Sequence, residues 1–444
     1  MRIIGFTILF LVFFSGLSAQ IPPSVDSIIR YFSDNDRFLG AAAMSVKGGE
    51  PVSWYAGYSS IEGRAPVNSQ TTFRIGSITK MFTATLILQL EQEGKLSTSD
   101  KLDKYFADFK YGKQTTLMHL LTHSSGLHNF TQDSGYVEMM GLQRTHEEMV
   151  DLIKEVGYDF EPGAGVSYSN SGYVLLGYIV EQVSGKPYKD ALRERILVPL
   201  KMNQTRFGYP GATPPEEAYS YTYEYAWLAA TNTDLSIPHG AGAIVSTPAD
   251  LCRFIEGLFQ GKLINEKQLE KMTKHKPDEL GAGMFMYPFY SHVSYGHSGG
   301  IDGFVSQLGY FPEDSVAIAI CFNGMRSEPN DLAFGMLSAY FNTPYTYPDF
   351  SVSAVVLSDE QLEKCVGTYV SDNFPLEIFV TKGKVGLRAQ ATGQSDFPLE
   401  AMSETDFRFE AAKIWMEFRP SADGQIMSGM KLTQMGNSYE FKRK

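Results

Sequence analysis

The chain has 444 residues, of which 43% are hydrophobic and 20% are charged, a composition typical of one large or two moderate folded domains. Its net charge at pH 7 is −12 and its Lys and Arg residues form no basic run longer than three residues, which argues against nucleic acid or an anionic membrane surface as a partner. We therefore expect a soluble, acidic globular protein.

The first nineteen residues have the layout of a secretory signal peptide. Arg2 precedes an apolar run from Ile3 to Phe14, and small residues follow as far as Ala19. The run is shorter than the roughly 20 apolar residues that a membrane-spanning helix needs, and the residue after Ala19 is Gln20, not a lipid-carrying cysteine. We predict cleavage after Ala19, a periplasmic or secreted mature chain, and no membrane span in it.

Strand-like segments occur at both ends of the region from residue 20 to residue 350. Ala41–Val46 and Val52–Gly57 predict one antiparallel hairpin, and Gly303–Phe311 and Val316–Phe322 predict another. The sequence between them has mainly helical periodicity. We therefore predict an α/β (α+β) domain in which an antiparallel sheet, built from both ends of the region, is flanked by helices and accompanied by a helical subdomain.

Ser77 stands three residues before Lys80, at the start of a segment that predicts a helix from Ser77 to Glu93. Residues i and i+3 lie on one helix face, so a desolvated Lys80 could act as a base toward the Ser77 hydroxyl. The alternative is an ordinary N-terminal cap, with Lys80 on the solvated face. Ser428 and Lys431 repeat the spacing in the C-terminal region, so the spacing alone does not decide between the two.

His119 and His123 have the i, i+4 spacing of two metal ligands on one helix face. Leu120 occupies the position at which a zinc peptidase of the His-Glu-x-x-His type carries its glutamate, and no further ligand cluster is evident. We therefore interpret both histidines as helix-end and loop-structuring residues, and expect no metal and no cofactor.

Tyr168 and Asn170 lie in a glycine-rich loop, immediately before a helix predicted from Tyr173 to Val183. Loops of this kind often display catalytic side chains. A loop tyrosine followed by a capping asparagine is the simpler alternative, and Tyr340 and Asn342 fit the same pattern elsewhere. The pair is a candidate for handling the serine proton only in combination with other motifs.

An aromatic cluster occupies the segment between Gly208 and His239. The cluster either lines a substrate pocket or packs as a loop, and packing is the more common role for such residues. Its members are Tyr219, Tyr221, Tyr223, Tyr225 and Trp227.

The chain has three cysteines, Cys252, Cys321 and Cys365, which are widely separated and form no Cys-x-x-Cys pair. We interpret them as small buried hydrophobic residues rather than as a metal site. Whether any two of them form a disulfide is left open.

His297 is followed by Ser298 and by the glycines Gly299 and Gly300, directly before the second strand pair. No other Lys or His in the chain is followed by Ser or Thr and then Gly. A histidine on a strand edge is more often structural than catalytic, but the glycines beside it allow a substrate backbone to approach closely. His297 is therefore a candidate for substrate binding.

The sequence changes character beyond about residue 343. Thr343–Pro348 predicts a linker, and residues 355–444 contain short alternating runs separated by turn residues. Such spacing predicts a small antiparallel β-barrel or sandwich. The runs are Leu376–Val380, Phe407–Phe409, Ile414–Phe418 and Tyr439–Lys442.

Three motifs follow one another along the chain: Ser77-Ile-Thr-Lys80, Tyr168-Ser-Asn170 and His297-Ser-Gly299. In this order they resemble the motifs of the penicillin-recognising serine hydrolases. The resemblance is to the class C β-lactamase branch, which includes DD-carboxypeptidases, D-aminopeptidases and carboxylesterases, and it extends from about residue 24 to 345. It implies a β-lactamase/transpeptidase-like fold. Residues 355–444 are similar to the lipocalin-like barrel appended to many such secreted hydrolases.

The resemblance implies a role for each motif residue. Ser77 would form an acyl-enzyme, and Lys80 and Tyr168 would share the base and proton-shuttle work. Asn170 would hydrogen-bond a side-chain amide of the substrate. The backbone N–H groups of Ser77 and Gly300 would form an oxyanion hole, which stabilises the transition state by several kcal/mol.

By the same resemblance, His297 and Ser298 would contribute to substrate binding. The family's β-lactamases usually carry lysine where this chain has His297, and family members with histidine include DD-peptidases. The histidine therefore favours a peptidase over antibiotic hydrolysis. Because histidine titrates near pH ~6.5, we predict that recognition of a substrate carboxylate weakens as the pH rises through neutrality.

The resemblance implies a secreted serine hydrolase that acts on D-amino-acid-containing peptides or related amides, for which the cell wall is one source. An esterase or β-lactamase activity is the alternative within the family. A protein of another class, which binds β-lactams or peptidoglycan without turnover, is a further alternative. The role of the C-terminal domain and the oligomeric state are left open.

Overall fold

The computed structural model describes residues 20–444 except 209–212, 224–225, 275–279, 351–353, 384, 395, 410–411 and 435. The predicted signal peptide at residues 1–19 and the aromatic residue Tyr225 lie outside the described residues. In the part of the chain that is described, no helix is both long enough and apolar enough to cross a membrane.

Helices and strands alternate irregularly as far as α11, and strands dominate after it. The helices are α1 (Pro23–Asp34), α2 (Thr79–Gln92), α3 (Leu117–Leu121), α4 (Tyr136–Met139), α5 (His146–Val156), α6 (Asn170–Ser184), α7 (Tyr188–Leu192), α8 (His239–Gly242), α9 (Pro248–Phe259), α10 (Glu266–Thr273), α11 (Pro329–Phe341) and α12 (Asp359–Glu363). The strands are β1 (Phe38–Val46), β2 (Val52–Ala56), β3 (Tyr58–Ser60), β4 (Ala65–Pro66), β5 (Phe73–Arg74), β6 (Arg206–Phe207), β7 (Tyr221–Tyr223), β8 (Trp227–Ala229), β9 (Ile244–Ser246), β10 (Phe285–Phe289), β11 (His292–Ile301), β12 (Phe304–Phe311), β13 (Val316–Met325), β14 (Gly367–Ser371), β15 (Phe374–Lys382), β16 (Leu387–Ala391), β17 (Phe397–Ala401), β18 (Asp406–Phe409), β19 (Ile414–Pro420), β20 (Met427–Gln434) and β21 (Asn437–Arg443).

Six strands form the principal sheet, in the order β10-β11-β12-β13-β1-β2, and every neighbouring pair is antiparallel. Strand β1 pairs with β13, so that Ala41 lies opposite Cys321 and Val46 lies opposite Val316. The predicted antiparallel sheet, built from both ends of this region, is confirmed.

The sheet separates two hydrophobic cores. Every residue of β1 is buried, and neighbouring residues contribute to different cores, Ala41 and Ala43 to one and Ala42 and Met44 to the other. This is the two-residue period of a strand. Helices α2, α6 and α9 fill the first core, and α1 and α11 fill the second. A nearly continuous apolar run is what a strand covered on both faces requires.

Helix α2 runs through the first core. Its residues from Thr79 to Leu90 are all buried, so no long polar face remains for solvent. A 3-10 turn at Gly76–Ile78 precedes the helix, and Gly94, with a φ of +70°, follows it. The predicted helix from Ser77 to Glu93 is therefore confirmed apart from its first turn. Helix α6 extends the second predicted helix back to Asn170.

Strands β14 to β21 close into a barrel, because each pairs with its neighbour in sequence and β21 pairs with β14. Closure leaves no unpaired sheet edge. Side chains such as Tyr369, Phe407 and Met416 fill a separate hydrophobic core. The predicted antiparallel barrel is confirmed, while the limits 20–350 and 355–444 stay predictions.

All three cysteines are free and buried. Cys252 and Cys321 lie in the core that contains α2, and Cys365 lies in the barrel core. Their interpretation as small buried hydrophobic residues is confirmed, and no two of them form a disulfide.

Candidate active site

Ser77 lies in the 3-10 turn Gly76–Ile78, one residue before the buried end of α2. Its side chain makes no capping hydrogen bond to that helix, so an N-terminal cap does not describe it. Gly76 has a φ of +49°, a conformation that favours glycine and turns the chain sharply before Ser77. The turn presents Ser77 to a cavity rather than to the helix end.

Lys80 is fully buried and its Nζ atom has three close oxygen neighbours. Nζ lies 3.0 Å from Ser77 Oγ, 2.7 Å from Asn170 Oδ1 and 2.8 Å from the carbonyl oxygen of Ala241. Among the residues described, no carboxylate forms an ion pair with it. Burial holds the pKa of Lys80 well below its usual value of 10.5, which favours the neutral amine.

A neutral amine has two N–H donors and one lone pair. Donation to Asn170 and Ala241 uses both donors and leaves the lone pair for the Ser77 hydroxyl. The arrangement therefore suits removal of a proton from serine.

Tyr168 packs against the same lysine, with its ring centroid 4.9 Å from Lys80 Nζ. Burial raises the pKa of Tyr168, and the interaction with the Ser77 side chain opposes that rise. By distance and angle, however, the Tyr168 hydroxyl forms no hydrogen bond among the described residues, so its interaction with Ser77 is a close approach rather than a formed bond. A neutral hydroxyl beside serine suits relay of a proton.

If the Tyr168 hydroxyl relays a proton, replacing Tyr168 by phenylalanine is expected to lower kcat/KM about 10²-fold or more. The melting temperature should stay the same or rise, since a buried hydroxyl is removed. Tyr340, of the second Tyr-x-Asn pattern, provides the matched control Tyr340→Phe. Equal activity in Tyr168→Phe and the parent would contradict a role for the hydroxyl.

Asn170 begins α6 and does not cap it. While Oδ1 accepts from Lys80, Nδ2 donates to Thr131 Oγ1 at 3.0 Å. The amide is thus held in one orientation from both ends. The second Tyr-x-Asn pattern has a different basis, because Asn342 ends α11 in the left-handed conformation.

The sequence left two contributors to this arrangement unassigned, Ala241 and Thr131. The Ala241 acceptor is a backbone atom, and Thr131 belongs to no motif, so neither carries a sequence signal. His123 stacks on Tyr168 with ring centroids 4.3 Å apart, and its Nδ1 accepts from the Ser169 N–H at 3.1 Å. Its predicted loop-structuring role is confirmed.

His119 also has the predicted structural role. It shares a capping box with Thr116 at the start of α3. Among the described residues, neither His119 nor His123 belongs to a group of side chains arranged to hold a metal.

Strand β11 lies against the turn that carries Ser77. A Cβ atom at Gly299 would come within 2.0 Å of the Ile75 carbonyl oxygen, whereas Gly300 faces open space. Gly76 also touches the Gly300 backbone, because a Cβ atom there would lie 2.9 Å from the Gly300 nitrogen. Ser77 and Gly300 therefore border the same cavity.

That cavity has a volume of about 730 Å³. Its wall combines small, hydroxyl-bearing and apolar side chains. The described residues that line it are Gly76, Ser77, Thr131, Tyr136, Met140, Asn170, Thr222, Ala229, Ala230, Thr231, Thr233, Pro238, Ala241, Gly242, Gly300, Ile301, Asp302, Phe304 and Val305. None of these is Lys, Arg or His, and the side chain of Asp302 is itself buried and paired with Arg74.

His297 and Ser298 line a second cavity, of about 430 Å³, which Ser77 does not border. The His297 ring lies 6.1 Å from the Tyr168 ring, and its Nδ1 contacts the Ser298 carbonyl oxygen. Burial is the main cause that lowers the pKa of His297 to about 3, and the ammonium form of Lys80 would act in the same direction. The prediction that His297 titrates near neutrality is therefore wrong, because the imidazole is desolvated next to a basic group.

The corrected expectation is that His297 adds no inflection to the pH profile of kcat/KM between about pH 5 and 8. Its folded pKa is depressed, so the ring is neutral throughout that range. Profiles of the parent and His297→Gln should have the same shape. An inflection near pH ~6.5 that disappears in the variant would contradict this.

The aromatic segment forms the hairpin of β7 and β8. Thr222 and Ala229 of this hairpin line the active-site cavity, while Tyr221 is buried. Tyr223 lies under the guanidinium of Arg326, 4.0 Å from its ring centroid. Arg326 also reaches Glu400 of the barrel at 3.9 Å. None of the described aromatic side chains of this cluster lines the cavity, whereas smaller residues of the hairpin do.

The comparisons with known proteins agree with this geometry. The family model named Beta-lactamase matches residues 25–339. The chain is 33% identical over 292 residues to the putative penicillin-binding protein PbpX of Bacillus subtilis (strain 168), an alignment that covers 65% of this chain and 71% of that protein. It is 29% identical over 308 residues to the teichoic acid D-alanine hydrolase of Staphylococcus aureus (strain MRSA252), covering 68% of this chain and 75% of that protein.

A solved structure is also similar. The D-amino acid amidase from Ochrobactrum anthropi SV3, complexed with L-phenylalanine, superposes with a TM-score of 0.65 and 30% identity, covering 72% of this chain and 98% of that chain. The sheet and helices of residues 25–339 therefore have a β-lactamase-type fold. Because the family model matches most of its length, the chain belongs to the Beta-lactamase family, and it is a serine hydrolase.

Proposed function

We propose that this hydrolase cleaves D-aminoacyl amides or esters through an acyl-enzyme on Ser77. The observation that carries the catalytic part is the contact of Ser77 with a buried Lys80 that has no carboxylate partner in the part of the chain that the structure describes. A lysine in this state is a base at neutral pH, whereas Tyr168, whose pKa is raised by burial, stays a phenol.

In the acylation step, Ser77 Oγ attacks the substrate carbonyl carbon and its proton passes to Lys80 Nζ, which becomes an ammonium group. The carbonyl oxygen takes the negative charge and accepts hydrogen bonds from the Ser77 and Gly300 N–H groups. When the carbon–nitrogen or carbon–oxygen bond breaks, a proton returns from Lys80 through the Tyr168 hydroxyl to the leaving group. Lys80 is then neutral again.

In the deacylation step, a water molecule attacks the acyl-enzyme. Lys80 accepts the proton of that water through the same route, and the intermediate collapses to release a carboxylic acid. The proton then returns to Ser77 Oγ. Asn170 and Ala241 hold Lys80 in place during both steps by accepting its hydrogen bonds.

The proposed substrate class rests on the residues that line the cavity. Its described lining residues include no cationic side chain, so a free carboxylate next to the scissile bond would have no charged partner. An unpaired buried charge is unfavourable. This favours neutral amide and ester leaving groups over a D-alanyl-D-alanine terminus or a β-lactam, both of which carry a carboxylate. The names of the D-amino acid amidase and D-alanine hydrolase relatives support the D-aminoacyl part.

The test is a substrate panel with one preparation of the mature chain. It contains D- and L-phenylalaninamide, D-alanine methyl ester, a peptide that ends in D-Ala-D-Ala, and nitrocefin. We expect kcat/KM for the D-amide to exceed that for the peptide and for nitrocefin by about tenfold or more, the effect of one unpaired charge. The L-amide should be the poorer of the two amides.

Ser77→Ala should lower kcat/KM for every accepted substrate about 10³-fold or more. The matched control is Ser428→Ala, at the second Ser-x-x-Lys pattern, and its kcat/KM should equal that of the parent. Mass spectrometry after a fluorophosphonate should place the adduct on Ser77. Preference for nitrocefin would contradict the substrate class. An adduct without turnover of any substrate would favour the non-catalytic binding protein.

We infer from residues 1–19 that the chain is exported and that the mature protein begins at Gln20. The basis is the sequence pattern alone. N-terminal sequencing of the protein recovered outside the cytoplasm should read Gln-Ile-Pro-Pro. An intact Met1 in that fraction would contradict cleavage.

A further inference from the structure

We propose that His146, Glu181 and His239 form a binding site for a divalent transition-metal ion of the zinc class, next to the helix that holds Lys80. One ligand atom from each residue lies within 4.8 Å of the other two. Two imidazoles and one carboxylate are a donor set that zinc accepts, with a water molecule in the fourth position. This site is separate from the proposed hydrolytic chemistry.

The two histidines face the two carboxylate oxygens of Glu181 at distances close to those between ligands of one ion. His146 Nδ1 lies 3.3 Å from Glu181 Oε2, and His239 Nε2 lies 3.7 Å from Glu181 Oε1. The second distance is too long for a hydrogen bond. Bonds of about 2.0–2.2 Å to one tetrahedral ion place its ligand atoms roughly 3.3–3.6 Å apart. The two imidazole rings meet at 80°, so they do not stack on each other.

The three ligands come from three helices, α5, α6 and α8. His239 begins α8 with a φ of +35°, which is a strained conformation for a residue with a side chain and points to a local requirement. Tyr178 holds both rings, with centroid distances of 4.0 Å to His146 and 4.6 Å to His239.

An entry path for the ion is also present. His146 and Glu181 line a cavity of about 250 Å³, and the His146 side chain is 53% exposed. Glu181 is fixed on its other side, because Oε1 accepts from the Tyr188 N–H at 2.7 Å. The site therefore has one half-exposed ligand, His146, beside a path from solvent, and the more buried Glu181 and His239 behind it.

An ion at this position would stabilise α8, the short helix whose backbone binds Lys80. In α8, the carbonyl oxygen of Gly240 accepts from Thr83 Oγ1 at 2.6 Å, and that of Ala241 accepts from Lys80 Nζ at 2.8 Å. Fixing His239 fixes the start of the same short helix. Metal binding is thus expected to stabilise the fold and the position of Lys80.

The test uses the mature chain without a polyhistidine tag, freed of metal by dialysis against a chelator. Calorimetric titration with Zn²⁺ should show one ion per chain, and Co²⁺ should give the visible absorption of a tetrahedral site. Zinc should raise the melting temperature. His146→Gln and Glu181→Gln should each weaken zinc binding about tenfold or more and abolish the shift in melting temperature.

The two variants are chosen to keep the fold. His146 is partly exposed, and the glutamine at position 181 keeps an acceptor for the Tyr188 N–H. The matched control is His128→Gln, because His128 also contacts two carboxylates, those of Asp133 and Asp159, at the surface. Zinc affinity unchanged in His128→Gln supports the proposal. No binding by the parent, or binding lost in His128→Gln and retained in His146→Gln, would overturn it.

Discussion

Replacement of Lys80 by methionine is expected to lower kcat/KM about 10³-fold and at the same time to stabilise the protein. Methionine fills a similar volume but has no lone pair that can take the Ser77 proton, now at 3.0 Å from Nζ. Lys80 is buried without a carboxylate partner among the described residues, so the folded state loses the hydration of its ammonium form. Removing the amine removes that cost.

The stability gain should depend on pH, with a sign that follows from the pKa of Lys80. Burial lowers that pKa well below 10.5, so between the folded and unfolded pKa values the unfolded chain binds one more proton. The stability of the parent therefore rises with pH in this interval, by at most about 1.4 kcal/mol per unit. Lys80→Met lacks this dependence. The difference in free energy of unfolding between Lys80→Met and the parent should therefore be larger at about pH 7.5 than at about pH 9.5.

Denaturant unfolding at both pH values, together with kcat/KM on the D-amide, measures the two effects. Lys431→Met is the matched control, because Lys431 has the same spacing from Ser428 but lies in the barrel. It should leave kcat/KM unchanged. Retained activity in Lys80→Met would exclude lysine as the base, and a stability gain that does not vary with pH would contradict the lowered pKa.

Gly299→Ala is expected to lower kcat/KM about 10²-fold or more and to destabilise the fold by about 1–3 kcal/mol. The new methyl group would meet the Ile75 carbonyl oxygen at 2.0 Å and Ser306 Oγ at 2.6 Å. Strand β11 must then move away from the Ser77 turn. Since the Gly300 N–H is carried by the same strand, the proposed oxyanion hole would widen.

The matched control for this substitution is Gly309→Ala on β12. A Cβ atom at Gly309 makes only ordinary contacts, the closest at 3.6 Å to Ile318, so both the melting temperature and kcat/KM should match the parent. Kinetics should show that Gly299→Ala lowers kcat as well as kcat/KM, because a transition-state contact is lost. An unchanged kcat would mean that β11 does not supply an oxyanion donor.

The sequence predicted those parts of the architecture in which a local residue pattern had a matching segment elsewhere in the chain. The strand pairs at the two ends and the barrel strands each have an alternation that sequence displays, and the helix after Ser77 ends at a glycine, Gly94, that sequence also displays. The partner of Lys80 at Ala241 could not be predicted, because a carbonyl oxygen is present at every residue. The same holds for His297, whose pKa depends on desolvation and on the neighbouring Lys80, neither of which is a property of the His-Ser-Gly motif.

The metal-type cluster was missed for a related reason. His119 and His123 have the sequence spacing of two ligands on one helix face, whereas His146, Glu181 and His239 are far apart in sequence and meet only when α5, α6 and α8 pack together. The absence of a cation from the described cavity wall is likewise a property of packing. These two features, rather than the motifs, separate this chain's proposed substrates and ligands from those that its family resemblance implies.

The contact of Arg326 with both Tyr223 and Glu400 bears on how the hydrolase region and the C-terminal barrel evolve. Arg326 follows the last strand of the principal sheet, Tyr223 supports the cavity wall, and Glu400 belongs to the barrel. A barrel acquired from another lineage would have to supply a carboxylate at the place of Glu400, or leave Arg326 without that neighbour. We therefore expect these three positions to be inherited together among homologues. Recombination at the linker should then be selected against, even where the hydrolase region and the barrel both fold.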